Sequence, residues 1–258
     1  MLHIQPLPAF NDNYIWKLSH DEQVGAYVVD PGDAQVVLDA LTATNTPLLG
    51  ILITHHHYDH TDGVARLVET YDVPVYGSKE SPFAGITHPL SSGDTVAVFD
   101  ATFTVQTVPG HTLDHIAYFT QDTSAPVVFS GDTLFLAGCG RLFEGSPAQM
   151  LDAMDWFKSL PDHTKVYCTH EYSLANLAFA AAVEPNNAAV KTALQRCTAL
   201  REQDQPTLPT SIAQEKTINP FMRADQPDVQ DAASGYISAP CTTQLEAFTA
   251  VREWKNNF

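Results

Sequence analysis

Residues Thr54 to His60 read THHHYDH, four histidines and one aspartate within seven positions. So dense a set of imidazole and carboxylate donors suits zinc, iron or manganese. Cys139, Cys168, Cys197 and Cys241 are scattered without C-x-x-C spacing, which argues against a structural zinc site of the Cys type. Three further potential ligands stand downstream: His111 in PGHT, Asp132 in SGDT and His170 in CTHE. Together with His55, His57, Asp59 and His60 they make seven donors, whereas a closed zinc site takes about four. Two metals sharing Asp132 would use all seven, and ions about 3.5–4 Å apart can hold a hydroxide between them at neutral pH. Taken singly, a histidine at a strand end is more often a solvated residue than a ligand, and a histidine-rich tract can be a nonspecific metal scavenger. A scavenging tract suits a chain terminus; this one follows an apolar strand.

The elements that must position these donors follow from periodicity. LLGILITHHH runs an apolar strand into the histidines, and Val64, Leu67, Val68 and Tyr71 then recur at helical spacing, so the heptad sits on a strand-to-helix loop. Residues 14–19 and 26–32 read as strands, the second closed by a Pro-Gly turn. Strands at 102–108, 127–130 and 165–168 each stop shortly before His111, Asp132 or His170, which would bring those side chains to one edge of a sheet system. Ser146 and Pro147 form an N-cap and first-turn pair ahead of Met150, Leu151, Met154 and Phe157. Later stripes are helical: Leu174, Leu177, Ala178 and Ala181, then Val190, Leu194, Cys197 and Arg201, then Leu245, Phe248 and Val251. The expected organisation is a catalytic domain over residues 1–170 and a small helical domain over 171–258, with the active site in the cleft between them.

Composition narrows the partners. The 258 residues are 44% hydrophobic and 17% charged, as in an ordinary globular protein. No apolar run approaches the roughly 18–20 residues that cross a bilayer, and MLHIQPLPAF has neither the basic start nor the apolar stretch of a signal peptide. A reducing cytoplasm is expected from the cysteine usage. The net charge of −17, with only 13 Lys and Arg, disfavours nucleic acid, and an anionic substrate would need a local cationic patch or a metal. No membrane partner is expected, and the chain is expected to be a monomer or a weak oligomer.

THHHYDH with PGHT, SGDT and THEY resembles the metallo-β-lactamase superfamily, whose signature is HxHxDH followed by downstream His, Asp and His. The resemblance implies an αβ/βα sandwich of two mixed β-sheets with outer helices. It also implies one metal on His55, His57 and His111, a second on Asp59, His60 and His170, and Asp132 bridging. His56 is not matched as a ligand, and His115 is expected to be structural. FNDNYIW, GDTLFLAGCGRLFEG, HEYSLANLAFA, INPFMR and VREWKNNF look like the glyoxalase II (hydroxyacylglutathione hydrolase) family over nearly the whole chain. That likeness implies hydrolysis of S-D-lactoylglutathione and related 2-hydroxyacylglutathiones to the hydroxy acid and glutathione, the second step of methylglyoxal detoxification. The attacking group would be a metal-bound hydroxide, with Asp59 and Asp132 as the carboxylates of the reacting centre. Two divalent ions are implied, zinc first, with iron or manganese as alternatives. Arg141, Phe143, Tyr172, Arg252 and Lys255 would bind the glutathione moiety. Arg252 and Lys255, three apart, share a helix face; their bland role is a basic last turn on the helix dipole.

Rival readings are another hydrolase of the superfamily, a glutathione persulfide dioxygenase with one iron, or an inert metal-binding domain. Three positions depart from the family pattern. Asp62 and Asp114 stand where glycine is common, and Phe143 stands where some relatives have tyrosine. Asp62 is placed to N-cap the helix that follows, and a glycine at 114 would point to positive φ or to tight packing.

Overall fold

The computed structural model describes residues 1–258. The first sheet contains β1 (Leu2–Ala9), β2 (Asn13–His20), β3 (Ala26–Val29), β4 (Leu48–Leu52), β5 (Val75–Ser78) and β6 (His88–Leu90), in that spatial order. It is antiparallel from β1 to β3 and parallel from β3 to β6. The second sheet begins with β7 (Thr95–Val98), β8 (Ala101–Thr107), β9 (Ile116–Thr120) and β10 (Val127–Gly131). A two-stranded hairpin follows, β11 (Leu134–Phe135) with β12 (Gly138–Cys139), before β13 (Lys165–Cys168) and β14 (Thr210–Ser211) complete the second sheet. Its order is β14-β13-β10-β9-β8-β7, and β10–β13 is its one parallel pair.

Strand sequences explain the layering. Because side chains alternate across a strand, Trp16, Val29, Leu52 and Phe129 enter the core between the sheets. Their neighbours Ile15, Val28 and Ile51 enter an outer core beneath α1 (Ala34–Thr44) and α3 (Val64–Tyr71), which flank the one-turn helix α2 (Tyr58–Thr61). Val128 and Val166 face outward on the second sheet, against Met150, Met154 and Phe157 of α4 (Pro147–Ser159). α4 starts with Ser146 as N-cap and Pro147 in its first turn, as its sequence predicts, and Gln149 completes a capping box with Ser146.

Beyond residue 171 the chain forms α5 (Ser173–Val183), α6 (Ala188–Arg201), α7 (Ile212–Ile218), α8 (Pro227–Ile237) and α9 (Gln244–Asn256). Phe179, Phe221, Phe248 and Val251 from this part share one core with α4 and the outer face of the second sheet. The buried sides differ from two of the expected stripes. On α5, Asn176, Leu177 and Ala180 are buried while Ala178 faces solvent; on α9, Phe248 and Val251 are buried while Leu245 is exposed. Polar Asn176 is inside because its Nδ2 donates to the Leu136 carbonyl, a requirement that hydrophobic periodicity does not register. All four cysteines are free and buried. No helix is long and apolar enough to cross a membrane.

Candidate metal centre

The heptad begins where β4 runs out. Thr54 donates its backbone N–H and its hydroxyl to the two oxygens of Asp30, at the end of β3, which fixes the chain as it leaves the sheet. His57 then takes the N-cap position of α2, so Asp59 falls in the first turn and His60 beside it. Thr61 donates its hydroxyl back to the His57 carbonyl at 2.9 Å. Asp62 closes this short helix; the residue preceding α3 is Gly63, so Asp62 does not N-cap the longer helix.

The other donors arrive from the second sheet. His111 lies between β8 and β9, Asp132 directly after β10 and His170 two residues after β13. The turn that aims Asp132 inward requires Gly131, whose φ is +48°, and a Cβ there would stand 2.4 Å from Thr54 Oγ1 and 2.7 Å from His115 Cε1.

The seven side chains singled out from the sequence converge. His57 Nδ1 is 3.1 Å from both His55 Nε2 and His111 Nε2. Asp132 Oδ2 is 3.5 Å from His111 Nε2 and 3.2 Å from His170 Nε2, while its Oδ1 is 3.5 Å from His60 Nε2. Asp59 Oδ2 is 3.5 Å from both His60 Nε2 and His170 Nε2. Donor atoms of His55, His57 and His111 form one group, those of Asp59, His60 and His170 another, and Asp132 lies between.

Electrostatics sort the histidines the same way. Burial, reinforced by neighbouring imidazoles, holds His55 well below the ordinary histidine pKa and lowers His57 and His111. Burial is the largest influence on His60 and His170 and opposes their charge, but Asp132 together with Asp30 at His60, and with Asp12 at His170, outweighs it and raises both. His60 and His170 in turn overcome the burial of Asp132 and hold it well below the usual carboxylate range. His60 Nε2 and Asp132 Oδ1 are nevertheless buried without a hydrogen-bond partner, a costly state that cations would relieve. Buried imidazole nitrogens and carboxylate oxygens, orphaned at their meeting point and free of thiolates, fit a pair of divalent metal ions.

His115 stacks on His55 at 4.7 Å and accepts from the Asp132 backbone N–H at 3.0 Å; burial, with His111 nearby, pushes its pKa down to about 3. His56 turns away and meets Asp114 at 2.9 Å. Asp114 is not at positive φ, so its carboxylate fills a polar role instead of the conformational one expected for glycine. Three neighbours of the donors were not singled out from the sequence. Asp12 accepts from His170 Nδ1 at 2.7 Å, Asn13 donates to Asp59 Oδ2 at 3.0 Å, and Asp30 lies 3.0 Å from His60 Nδ1.

The donors open into a cleft of about 400 Å³ walled by Tyr58, Phe135, Arg141, Phe143 and Tyr172. Tyr172 stacks flat on His170 at 4.6 Å, and Phe143 packs edge-on against His57 and His111. Burial, then Asp12 and Asp132, push the Tyr172 phenol above its ordinary range, which keeps it a neutral donor. Arg252 and Lys255 do not line this cleft. Arg252 is buried and donates to the carbonyls of Cys139 and Gly140. Lys255 donates to the Ala175 carbonyl at 3.2 Å and lies over the rings of Phe179 and Phe258.

The fold and this cluster place the chain in the metallo-beta-lactamase superfamily, whose family model matches residues 21–170. Residues 171–258 match the model described as hydroxyacylglutathione hydrolase C-terminus. The chain is 49% identical to a hydroxyacylglutathione hydrolase of Shewanella pealeana over 100% of both chains. A crystal structure of ETHE1 from Myxococcus xanthus shares the fold with a TM-score of 0.68 at 23% identity, covering 98% of this chain and 91% of that one. TTHA1623, solved in a di-iron-bound form, aligns with a TM-score of 0.59 at 25% identity, over 85% of this chain and 99% of that one. The chain belongs to the hydroxyacylglutathione hydrolase family.

Proposed function

We propose that the chain hydrolyses S-D-lactoylglutathione and related 2-hydroxyacyl thioesters of glutathione to the hydroxy acid and glutathione, the second step of methylglyoxal detoxification. The observation that carries this reading is the convergence of seven donors at the base of a cleft lined by Arg141 and Tyr172, in a chain 49% identical to a hydroxyacylglutathione hydrolase. His55, His57 and His111 would hold one ion and Asp59, His60 and His170 the other, with Asp132 between them. Zinc is the proposed metal; iron is the alternative that the di-iron form of TTHA1623 favours, and manganese suits the same donors. Such a pair supplies Lewis acidity, which polarises a carbonyl oxygen and brings the pKa of water near neutrality.

The chain's own side chains do the rest. Asp59, with a side chain 19% exposed against 8% for Asp132, is the more accessible carboxylate at the reacting centre and the proposed acceptor for the proton of attacking water. Tyr172 and Phe143 pack across the thioester, and Arg141 offers positive charge to an anionic ligand at the cleft wall. Lys255 and Arg252 are proposed to hold the distant carboxylates, so that local cations overcome the overall charge of −17. The departing thiolate has a conjugate acid with a pKa of roughly 8.5 and needs little protonation. We assign residues 1–170 to catalysis and 171–258 to substrate binding, a division supported by the point at which the two family models meet. A cytoplasmic enzyme, monomeric or weakly associated, without nucleic-acid or membrane partners, fits the free cysteines and the scarcity of Lys and Arg. Stripping the protein with chelator and restoring two equivalents of zinc tests the reading: thiol release from S-D-lactoylglutathione should vanish and return.

A further inference from the structure

The two donor groups differ in what stands behind them. In the group of His55, His57 and His111, the partners are neutral: His111 Nδ1 donates to the Arg141 carbonyl at 2.8 Å, and His55 Nδ1 lies 3.1 Å from the Thr54 hydroxyl. Carboxylates stand behind the other group. His170 Nδ1 meets Asp12 Oδ1 at 2.7 Å, and His60 Nδ1 meets Asp30 Oδ2 at 3.0 Å. The β1–β2 turn that carries Asp12 is itself tied to the centre. The Glu171 N–H donates to the Asp12 carbonyl at 2.8 Å, Asn13 pairs with His170 across an isolated bridge, and Asn13 Nδ2 reaches Asp59 Oδ2.

One turn of the first sheet thus touches two side chains of the same donor group, and it reaches no member of the other through these bonds. A carboxylate on the far nitrogen of an imidazole fixes the ring's rotation and strengthens it as a donor. We propose that Asp12 is a positioning residue that retains the metal held by Asp59, His60 and His170, so that the two ions are bound with different strength and only one depends on Asp12. The inference rests on the ligand assignment given above. Asp12 is the cleaner handle of the two carboxylates. Asp30 is buried and also anchors Thr54, whereas the Asp12 side chain is 38% exposed, so its truncation leaves no cavity.

The test is a stepwise titration of metal-free protein with zinc against a chromophoric chelator, for wild type, Asp12→Asn and Asp12→Ala, with cobalt absorption reporting each site's geometry. Wild type should take up two equivalents. Asp12→Ala should weaken one step by about 10–100-fold and leave the other within about twofold, Asp12→Asn should fall between, and excess zinc should restore thioester hydrolysis to Asp12→Ala. Two unchanged steps, or two steps weakened equally, overturn the role of Asp12. A wild type that binds fewer than two equivalents overturns the dinuclear reading itself, and the proposal with it.

Discussion

Arg252 donates from Nη1 to the Cys139 carbonyl at 2.8 Å, and this bond ties the last helix to the segment that carries Arg141 and Phe143 into the cleft. Arg141 in turn offers its carbonyl to His111, so a residue near the C-terminus bears on the metal centre through two backbone steps. Arg252→Ala leaves buried carbonyls at Cys139 and Gly140 without their donor and should cost about 3 kcal/mol in urea unfolding, together with a raised KM. Lys255→Ala, whose Nζ makes one exposed bond to the Ala175 carbonyl, should raise KM with little loss of stability. Equal stabilities for the two variants would contradict the structural part of this difference.

Asp132 is the one carboxylate close to both donor groups. Asp132→Asn keeps the shape but removes the charge, and His60 and His170 lose the carboxylate on their Nε2 side. Metal content measured by elemental analysis should fall below two equivalents, and kcat/KM should drop by at least about 100-fold. Retention of both ions with near-normal turnover would place the bridging role elsewhere.

Phe143 is 61% exposed at the cleft mouth, with Arg141 about a ring's width away at 6.0 Å. Phe143→Tyr supplies a hydroxyl to a ligand lying on that wall, and one such bond is worth about 1 kcal/mol net. KM for the glutathione thioester should fall about fivefold with kcat little changed, by the same conversion of energy to affinity. An unchanged KM would show that the ligand does not reach this ring.

Glu215 is fully buried, where it accepts from the Ala137 N–H, Thr210 Oγ1 and Asn219 Nδ2. Burial, only partly offset by those bonds, raises its carboxyl from 4.5 to about 7. A raised folded-state pKa means the folded protein holds the proton more tightly than the unfolded chain. This contribution to stability is therefore fully present below about 4.5 and is lost as pH rises through about 7, a change of roughly 3 kcal/mol. Unfolding free energies of wild type and Glu215→Gln, measured from pH 4.5 to 8, should show the wild type losing stability relative to the variant across that window. Parallel curves would show that Glu215 ionises freely.

The donors could be found in the sequence because imidazole density and strand-end placement are local properties, and the N-cap at Ser146 with Pro147 after it was legible for the same reason. β1 was hidden by Pro6 and Pro8, which an edge strand tolerates and which a sequence scan treats as breaks. Asp12 and Asp30 escaped because their partners, His170 and His60, lie 158 and 30 residues away. The basic pair was recognised, but the helix packing that buries Arg252 against backbone carbonyls depends on neighbours from other elements. No spacing rule records those carbonyls.

The most direct measurement is thiol release by zinc-loaded protein from S-D-lactoylglutathione and, in parallel, from a simple acetyl thioester that lacks the glutathione carboxylates. The glutathione thioester should be strongly preferred, and Lys255→Ala, which removes one exposed bond to the Ala175 carbonyl, should weaken that preference mainly through KM, leaving the acetyl thioester rate nearly unchanged. Protein that holds two zinc ions and leaves S-D-lactoylglutathione intact would contradict the proposed function while leaving the fold and family unaffected.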